Sequence, residues 1–468
     1  MTVKDSALFD TSTDYKRDLG LMEVVSVVVG RIIGSGIFRT PAPIMALVMS
    51  TSLFGLVWLV GGIVTIFGAV CYAELVAMMP KSGGPYVYLR AAYHPICSFL
   101  RGWAMFFVSE TGAIAAVAIV FAEYAGALFT IITGDSLSRP LIIVIALATI
   151  WILTVVNLFG VFLSGMVQNV FSWIKILAVG GIIGIAFSSG KGNVSNFTSH
   201  FFPDNFSWET ILAVGAALRY SFFAFSGWEG ATYIAEEVKN PSRNLPLSLL
   251  LGITGVIILY IGANSAYLYL LPVEVISSSK WVATEAMQVA IGSAGGILIS
   301  AAVMMNTFGN VSTQILVKAR SWQAMARDGV FFKKLGELHP KYKTPNNALI
   351  VQAAWATVLM LFAATAAKSS YEAIIDFFSA TGTIFNIMTF ASVIILRKKY
   401  KDIERPYKAW FYPVSVIVVI AIYIAFLVFT LVTALVPSLT GFLLTSSGLV
   451  YYYRKEIVIF VKRKTGVK

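Results

Sequence analysis

Cysteine and histidine are almost missing: the 468 residues hold two Cys and three His. So few scattered residues build neither a disulfide framework nor a metal-ligand cluster. Charge is scarce as well, at 12% of residues. The chain contains no HExxH metalloprotease motif, no phosphate-binding GxxxxGK[ST] and no GxSxG nucleophile elbow. Nothing supplies a nucleophile with its base, so an enzyme is not expected, nor is a cofactor or a metal. The polar start "MTVKDSALFDTSTDYKRD" shows no cleavable signal peptide. What fills the chain is apolar: 58% of residues are hydrophobic and the mean hydropathy is +0.80. That composition belongs to an integral membrane protein.

Stretches long enough to cross about 30 Å of hydrocarbon number twelve. They lie near 21–48, 54–79, 96–129, 140–160, 166–188, 209–236, 247–271, 291–317, 348–367, 373–396, 409–431 and 434–453. Lysine and arginine concentrate in alternate connections, above all "KARSWQAMARDGVFFKKLGELHPKYK" and "RKKYKDIERPYK", whereas the opposite loops hold only Arg139, Lys191, Lys280 and Lys368. This positive-inside pattern puts both termini in the cytoplasm of a multi-pass protein of the cell membrane. It also accounts for most of the net charge of +12 without a nucleic-acid partner.

Two spans are interrupted at mid-depth. The first reads "VVVGRIIGSGIFRTP", with Gly34-Ser35-Gly36 between Arg31 and Arg39. The sixth reads "LRYSFFAFSGWEGATYIAEEVKNPSRNLP", with Ser226-Gly227 beside Glu229. Glycine weakens a helix by roughly 1 kcal/mol relative to alanine. A mid-membrane arginine costs about 2.5–3.5 kcal/mol on insertion scales. Small residues alone could serve close helix packing, as Gly30 and Gly34 at GxxxG spacing would. Packing does not explain charges beside both breaks. Paired broken helices at matching positions of two halves instead point to an inverted-repeat transporter.

Longer motifs carry a family resemblance. "GRIIGSGIF" resembles the first-helix motif of the amino acid–polyamine–organocation superfamily, and "CYAELVAMMPKSGGPYVYLRAAY" is similar to the second helix and loop of its L-type amino-acid transporter branch. "FFAFSGWEGATYIAEEVKNPSRNLP", "ARDGVFFKKLGELHPKYKTPNNALI" and "RPYKAWFYP" match the sixth helix, the loop after the eighth and the start of the eleventh. The resemblance implies an all-α membrane protein of leucine-transporter type. Ten helices would form a 5+5 inverted repeat over 21–396, with repeats near 21–188 and 209–396. A cytoplasmic segment, 1–20, precedes it, and 397–468 supplies a loop, helices 11 and 12 and a basic tail. The implied activity is alternating-access transport of amino acids, often as an obligate exchanger.

An α-amino acid fits two facing breaks. Amides freed at Gly34, Ser35 and Gly36 suit its carboxylate, and carbonyls freed near Ser226 and Gly227 suit its ammonium. The resemblance adds Ile32 as a lining residue and Phe223 as an aromatic gate. Phe225, Glu229 and Ser312 complete the candidate set, although Asn310, Ser312 and Gln314 cannot all share one helix face. Lys175 sits mid-span, where a lysine is costly. In the superfamily, a fifth-helix lysine takes the place of sodium and braces the first break, which implies sodium-independent transport.

The loop "TIITGDSLSRP" lacks the cysteine that joins eukaryotic L-type members to a heavy chain, so no disulfide-linked subunit is expected. Sequons occur at Asn193, Asn196 and Asn205. Arg31, Arg39 and Arg219 match no residue that the resemblance implies. Glu229 has three conceivable fates: an ion pair with Arg39 or another nearby arginine, a contact to a cationic substrate, or a proton-coupling role. Arg31 and Arg39 would repel a polyamine, which favours neutral amino acids. A cationic amino-acid or polyamine antiporter, or a non-transporting amino-acid sensor, is the alternative.

Overall fold

The computed structural model describes Phe9 and residues 17–81, 83–159, 165–203, 205–327, 329–342, 344–365 and 369–454. Most of segment 1–20, Lys368 and the tail beyond 454 lie outside the described residues. The first span is broken, as its glycines require: α1 (Leu21–Ile32) stops, and α2 (Gly36–Arg39) and α3 (Pro41–Val48) resume after residues 33–35. Thr40 keeps helical angles, so α2 and α3 read as one half-helix. The chain continues through α4 (Thr51–Met78), α5 (Pro85–Ala92), α6 (Pro95–Ala104) and α7 (Glu110–Thr133). A π turn over Met105–Ser109 joins α6 to α7. Then come α8 (Arg139–Leu158), α9 (Gly165–Ser188), the short α10 (Ser195–Thr198) and α11 (Trp208–Ala224).

The sixth span breaks after α11 and resumes as a 3-10 helix, Trp228–Glu237. Gly227 takes φ +98 at the joint, a backbone conformation that favours glycine. The rest is α12 (Pro241–Leu270), α13 (Val273–Ser278), α14 (Val282–Ile291), α15 (Ser293–Arg327), α16 (Asn346–Ala364), α17 (Ser370–Lys399), α18 (Val414–Thr433) and α19 (Leu435–Tyr452). Among the described residues, helix occupies most of each expected span. Ten helical segments among the described residues are long and apolar enough to cross a membrane. The fifth and twelfth expected spans, in α9 and α19, are not among those ten.

Burial separates an inner set of helices from an outer one. In α4, residues from Val57 to Met78 are largely buried, against α12, α11 and the second break. By contrast α8 exposes Val144, Ile152 and Val155, and α18 exposes Ile417, Val428 and Val432. Such uncovered apolar side chains suit contact with lipid tails. Helix ends are fixed by local chemistry. Ser207 and Thr210 form a reciprocal capping box at the start of α11, and the Ser50 hydroxyl accepts from the Leu53 amide at α4. The face carrying the two basic loops, called the basic face below, is tied by a buried node. The Glu74 carboxylate accepts two bonds from Arg397, at 2.7 and 2.6 Å, and one from the Ala409 amide at 2.7 Å. This node joins α4, the end of α17 and the loop before α18.

Candidate functional site

A helix that stops in mid-membrane must place the carbonyls it frees. The first break does so with side chains from three other helices. Lys175 Nζ on α9 donates to the Gly30 carbonyl at 2.9 Å. The Tyr260 hydroxyl on α12 lies 3.0 Å from the Ile32 carbonyl. Asn306 Nδ2 on α15 reaches the Gly34 carbonyl at 3.4 Å. The same Tyr260 hydroxyl lies 3.1 Å from the Ala224 carbonyl at the second break. One hydroxyl therefore touches both interruptions.

The two breaks also touch directly. A Cβ built on Gly36 would stand 2.5 Å from Ala224 Cα, and one on Gly227 would stand 2.8 Å from the Arg31 carbonyl oxygen. Only glycine permits this approach. Between and beside the breaks lies a cavity with about 220 Å³ of room for the centres of water-sized molecules. One water needs roughly 10–15 Å³ by that measure, so a small zwitterion fits. Ile32, Gly34, Ser35, Gly36, Phe223, Ser226, Gly227, Glu229 and Lys175 all line it.

Two of the expected residues do not. Phe225 is buried away from the cavity, its ring 5.1 Å from Tyr260 and 6.0 Å from Trp58. Ser312 turns towards α8, where Asn157 Nδ2 lies 3.5 Å from its hydroxyl. Both placements follow from helix phase. Asn310 and Gln314 line the cavity, four residues apart on one face, and Gln314 Nε2 donates to Asn310 Oδ1 at 2.8 Å. Ser312, midway between them, faces the other way.

The arginines find partners that sequence reasoning did not name. Arg39 Nε bonds Glu123 at 2.8 Å, its guanidinium is 3.9 Å from Glu372, and it lies over the Tyr371 ring. An Arg39–Glu229 pair is therefore corrected: Arg39 is already held between two other carboxylates. Arg219 Nε meets Asp376 at 3.0 Å. Further along the cavity towards the basic face, Lys318 pairs with Glu110. Tyr260, Asn306, Glu123, Glu110 and Lys318 all went unnamed. Glu123 and Glu110 carried a signal, a titratable group inside an apolar stretch, whereas Lys318 opens a basic loop and blends into it. Of the sequons, Asn193 is exposed, whereas Asn196 is buried with its amide turned towards the Tyr269 carbonyl.

Two broken spans meeting in one polar cavity inside a helical membrane protein define a membrane transporter fold. The sequence profile of the amino acid permease family matches residues 19–461, and the chain belongs to that family. It is 31% identical over 412 residues to mouse (Mus musculus) b(0,+)-type amino acid transporter 1, covering 87% of this chain and 82% of the relative. It is 30% identical over 441 residues to the serine/threonine exchanger SteT of Bacillus subtilis (strain 168), covering 94% and 96%. Rabbit (Oryctolagus cuniculus) large neutral amino acids transporter small subunit 2 is 32% identical over 400 residues, covering 84% and 72%. These relatives are transporters and exchangers.

Proposed function

We propose that the chain is a secondary active carrier that moves α-amino acids, neutral ones in preference to cationic ones, by exchange and without sodium. The observation that carries this reading is the convergence of both breaks on one cavity, with Tyr260 touching a freed carbonyl of each. Facing breaks offer amides to a carboxylate and carbonyls to an ammonium, the two groups every α-amino acid shares. Lys175 supports sodium independence, because its ammonium already occupies the Gly30 carbonyl that a cation would otherwise seek. The charge of the lining supports neutral over cationic cargo: Arg31, Arg101, Lys175, Arg219 and Lys318 outnumber Glu110 and Glu229. The names of two relatives agree, one a serine/threonine exchanger and one a carrier of large neutral amino acids.

On this reading twelve helices cross the cell membrane, the first ten form a 5+5 inverted repeat, and both termini are cytoplasmic. The carrier works without a disulfide-linked subunit, since the loop between α7 and α8 holds no cysteine. Glu229 serves as a bracing or coupling residue rather than as a partner of cationic cargo. Liposomes containing the pure protein test this with labelled L-serine, L-leucine, L-lysine and putrescine. Serine or leucine uptake should exceed that of the two cations, and Glu229→Gln should preserve the order. Preferred uptake of lysine or putrescine, lost selectively in Glu229→Gln, would replace this reading with a cationic carrier.

A further inference from the structure

Arg101 is the charge that the amino-acid site does not use. It is 5% exposed, it lines the cavity, and its Nε has no hydrogen-bond partner. Its guanidinium carbon lies 5.7 Å from the Phe385 ring, and its charge acts on Glu110, Tyr72 and Tyr233. Regular helix geometry would turn Arg101 away from Glu110. Nine residues at about 100° each place two side chains on opposite faces. The π turn at Met105–Ser109 lies between them and removes about a quarter turn. That register change leaves Arg101 about a quarter turn from Glu110 instead of opposite it, and both side chains line the cavity. A π turn that directs a buried, unpartnered guanidinium into a cavity is a built feature.

Two further cations stand near it. The Arg31 side chain lies flat on Gly230, where an added Cβ would meet Arg31 Cδ at 2.2 Å and Nε at 2.3 Å. Lys318 is paired with Glu110. Among the described residues neither Arg31 nor Arg101 forms a salt bridge; Glu110, on which both charges act, and Glu229 are the lining carboxylates near them. Asn310 abuts Gly34, and Lys318 follows eight residues later on the same helix. At 1.5 Å per residue, Lys318 is rooted about 12 Å further towards the basic face. Lys318 therefore stands apart from the place where the two breaks meet, and Arg31, whose backbone touches Gly227, links that place to the cluster.

We propose that Arg101, with Arg31 and Lys318, forms a second anion subsite in the cavity, on the basic-face side of the breaks, that takes a carboxylate. This rests on the amino-acid reading for the identity of its occupant, the α-carboxylate of an amino acid in transit. A small inorganic anion has the same charge and is the other source of that chemistry. A buried guanidinium without a partner is costly, and an exchangeable anion removes the cost while it is bound. The subsite would hold a second amino acid while the first sits between the breaks.

Equilibrium binding to purified protein decides the matter, using labelled L-serine, L-leucine and L-glutamate in turn, in gluconate buffer. Two equivalents of one amino acid should bind the unaltered protein. Arg101→Gln should bind one, and Arg101→Lys should recover the second at several-fold weaker affinity. Labelled chloride is measured in parallel on the same proteins and on Arg31→Gln. If chloride binds one equivalent that Arg101→Gln loses, while amino acid stays at one throughout, the subsite stands and its occupant is inorganic. If no amino acid binds any of the proteins, the carrier reading fails, and the chloride arm still decides the subsite. Equal binding of every ligand by unaltered protein and Arg101→Gln, with both monodisperse, would overturn the subsite.

Discussion

At the residue scale, Lys175 shows how a costly group becomes useful. A lysine inside a membrane needs a partner, and it finds the Gly30 carbonyl at 2.9 Å. Hydrogen bonds to charged groups contribute about 1.5–3 kcal/mol, or at least about a tenfold change in an equilibrium. Lys175→Ala should therefore lower exchange at least about tenfold while leaving membrane insertion intact. Transport assays beside fractionation of membranes check this, and unchanged exchange would remove Lys175 from the site. Lys175 was legible because charge is conspicuous in an apolar span. Arg101 was not, because the π turn that reorients it has no sequence marker. Phe225 and Ser312 turn away from the cavity; the spacing of Asn310, Ser312 and Gln314 showed that they divide between faces, but not which face lines the site.

At the scale of elements, the two broken spans act as one unit. Gly36 packs on Ala224, and Tyr260 lies within hydrogen-bonding distance of Ile32 and Ala224. A side chain at Gly36 would stand in the way of a carboxylate approaching the freed amides. The structure adds a nearer obstacle, the backbone of α11, which a rotamer change cannot relieve. Gly36→Ala should thus push the breaks apart and abolish substrate binding in protein that still inserts. Tyr260→Phe leaves buried carbonyls short of a donor, at a cost of about 1–3 kcal/mol. A lower melting temperature and weaker substrate binding should appear together. A variant that melts lower but binds normally would make Tyr260 a packing residue only. The glycines announced both breaks in the sequence. Tyr260 did not stand out, since a tyrosine in a long apolar helix has no distinguishing pattern.

At the scale of the whole molecule, buried polar groups bring together parts of the chain that are distant in sequence. Arg39 meets Glu123 from 84 positions away, and Glu74 gathers Arg397 and Ala409 from the far end. The helical class, ten of the twelve expected spans and the two interruptions were readable from hydropathy and glycine. The pairing of charges across helices was not, because rotation about each helix axis decides it. The central claim is that facing breaks grip an amino acid and that Lys175 removes the need for sodium. Labelled L-serine uptake into liposomes preloaded with unlabelled L-serine, with choline replacing all sodium, tests it most directly. Uptake should persist at its rate in sodium, and emptying the liposomes of L-serine should slow it several-fold. No uptake without a sodium gradient, in protein that transports with one, would contradict it.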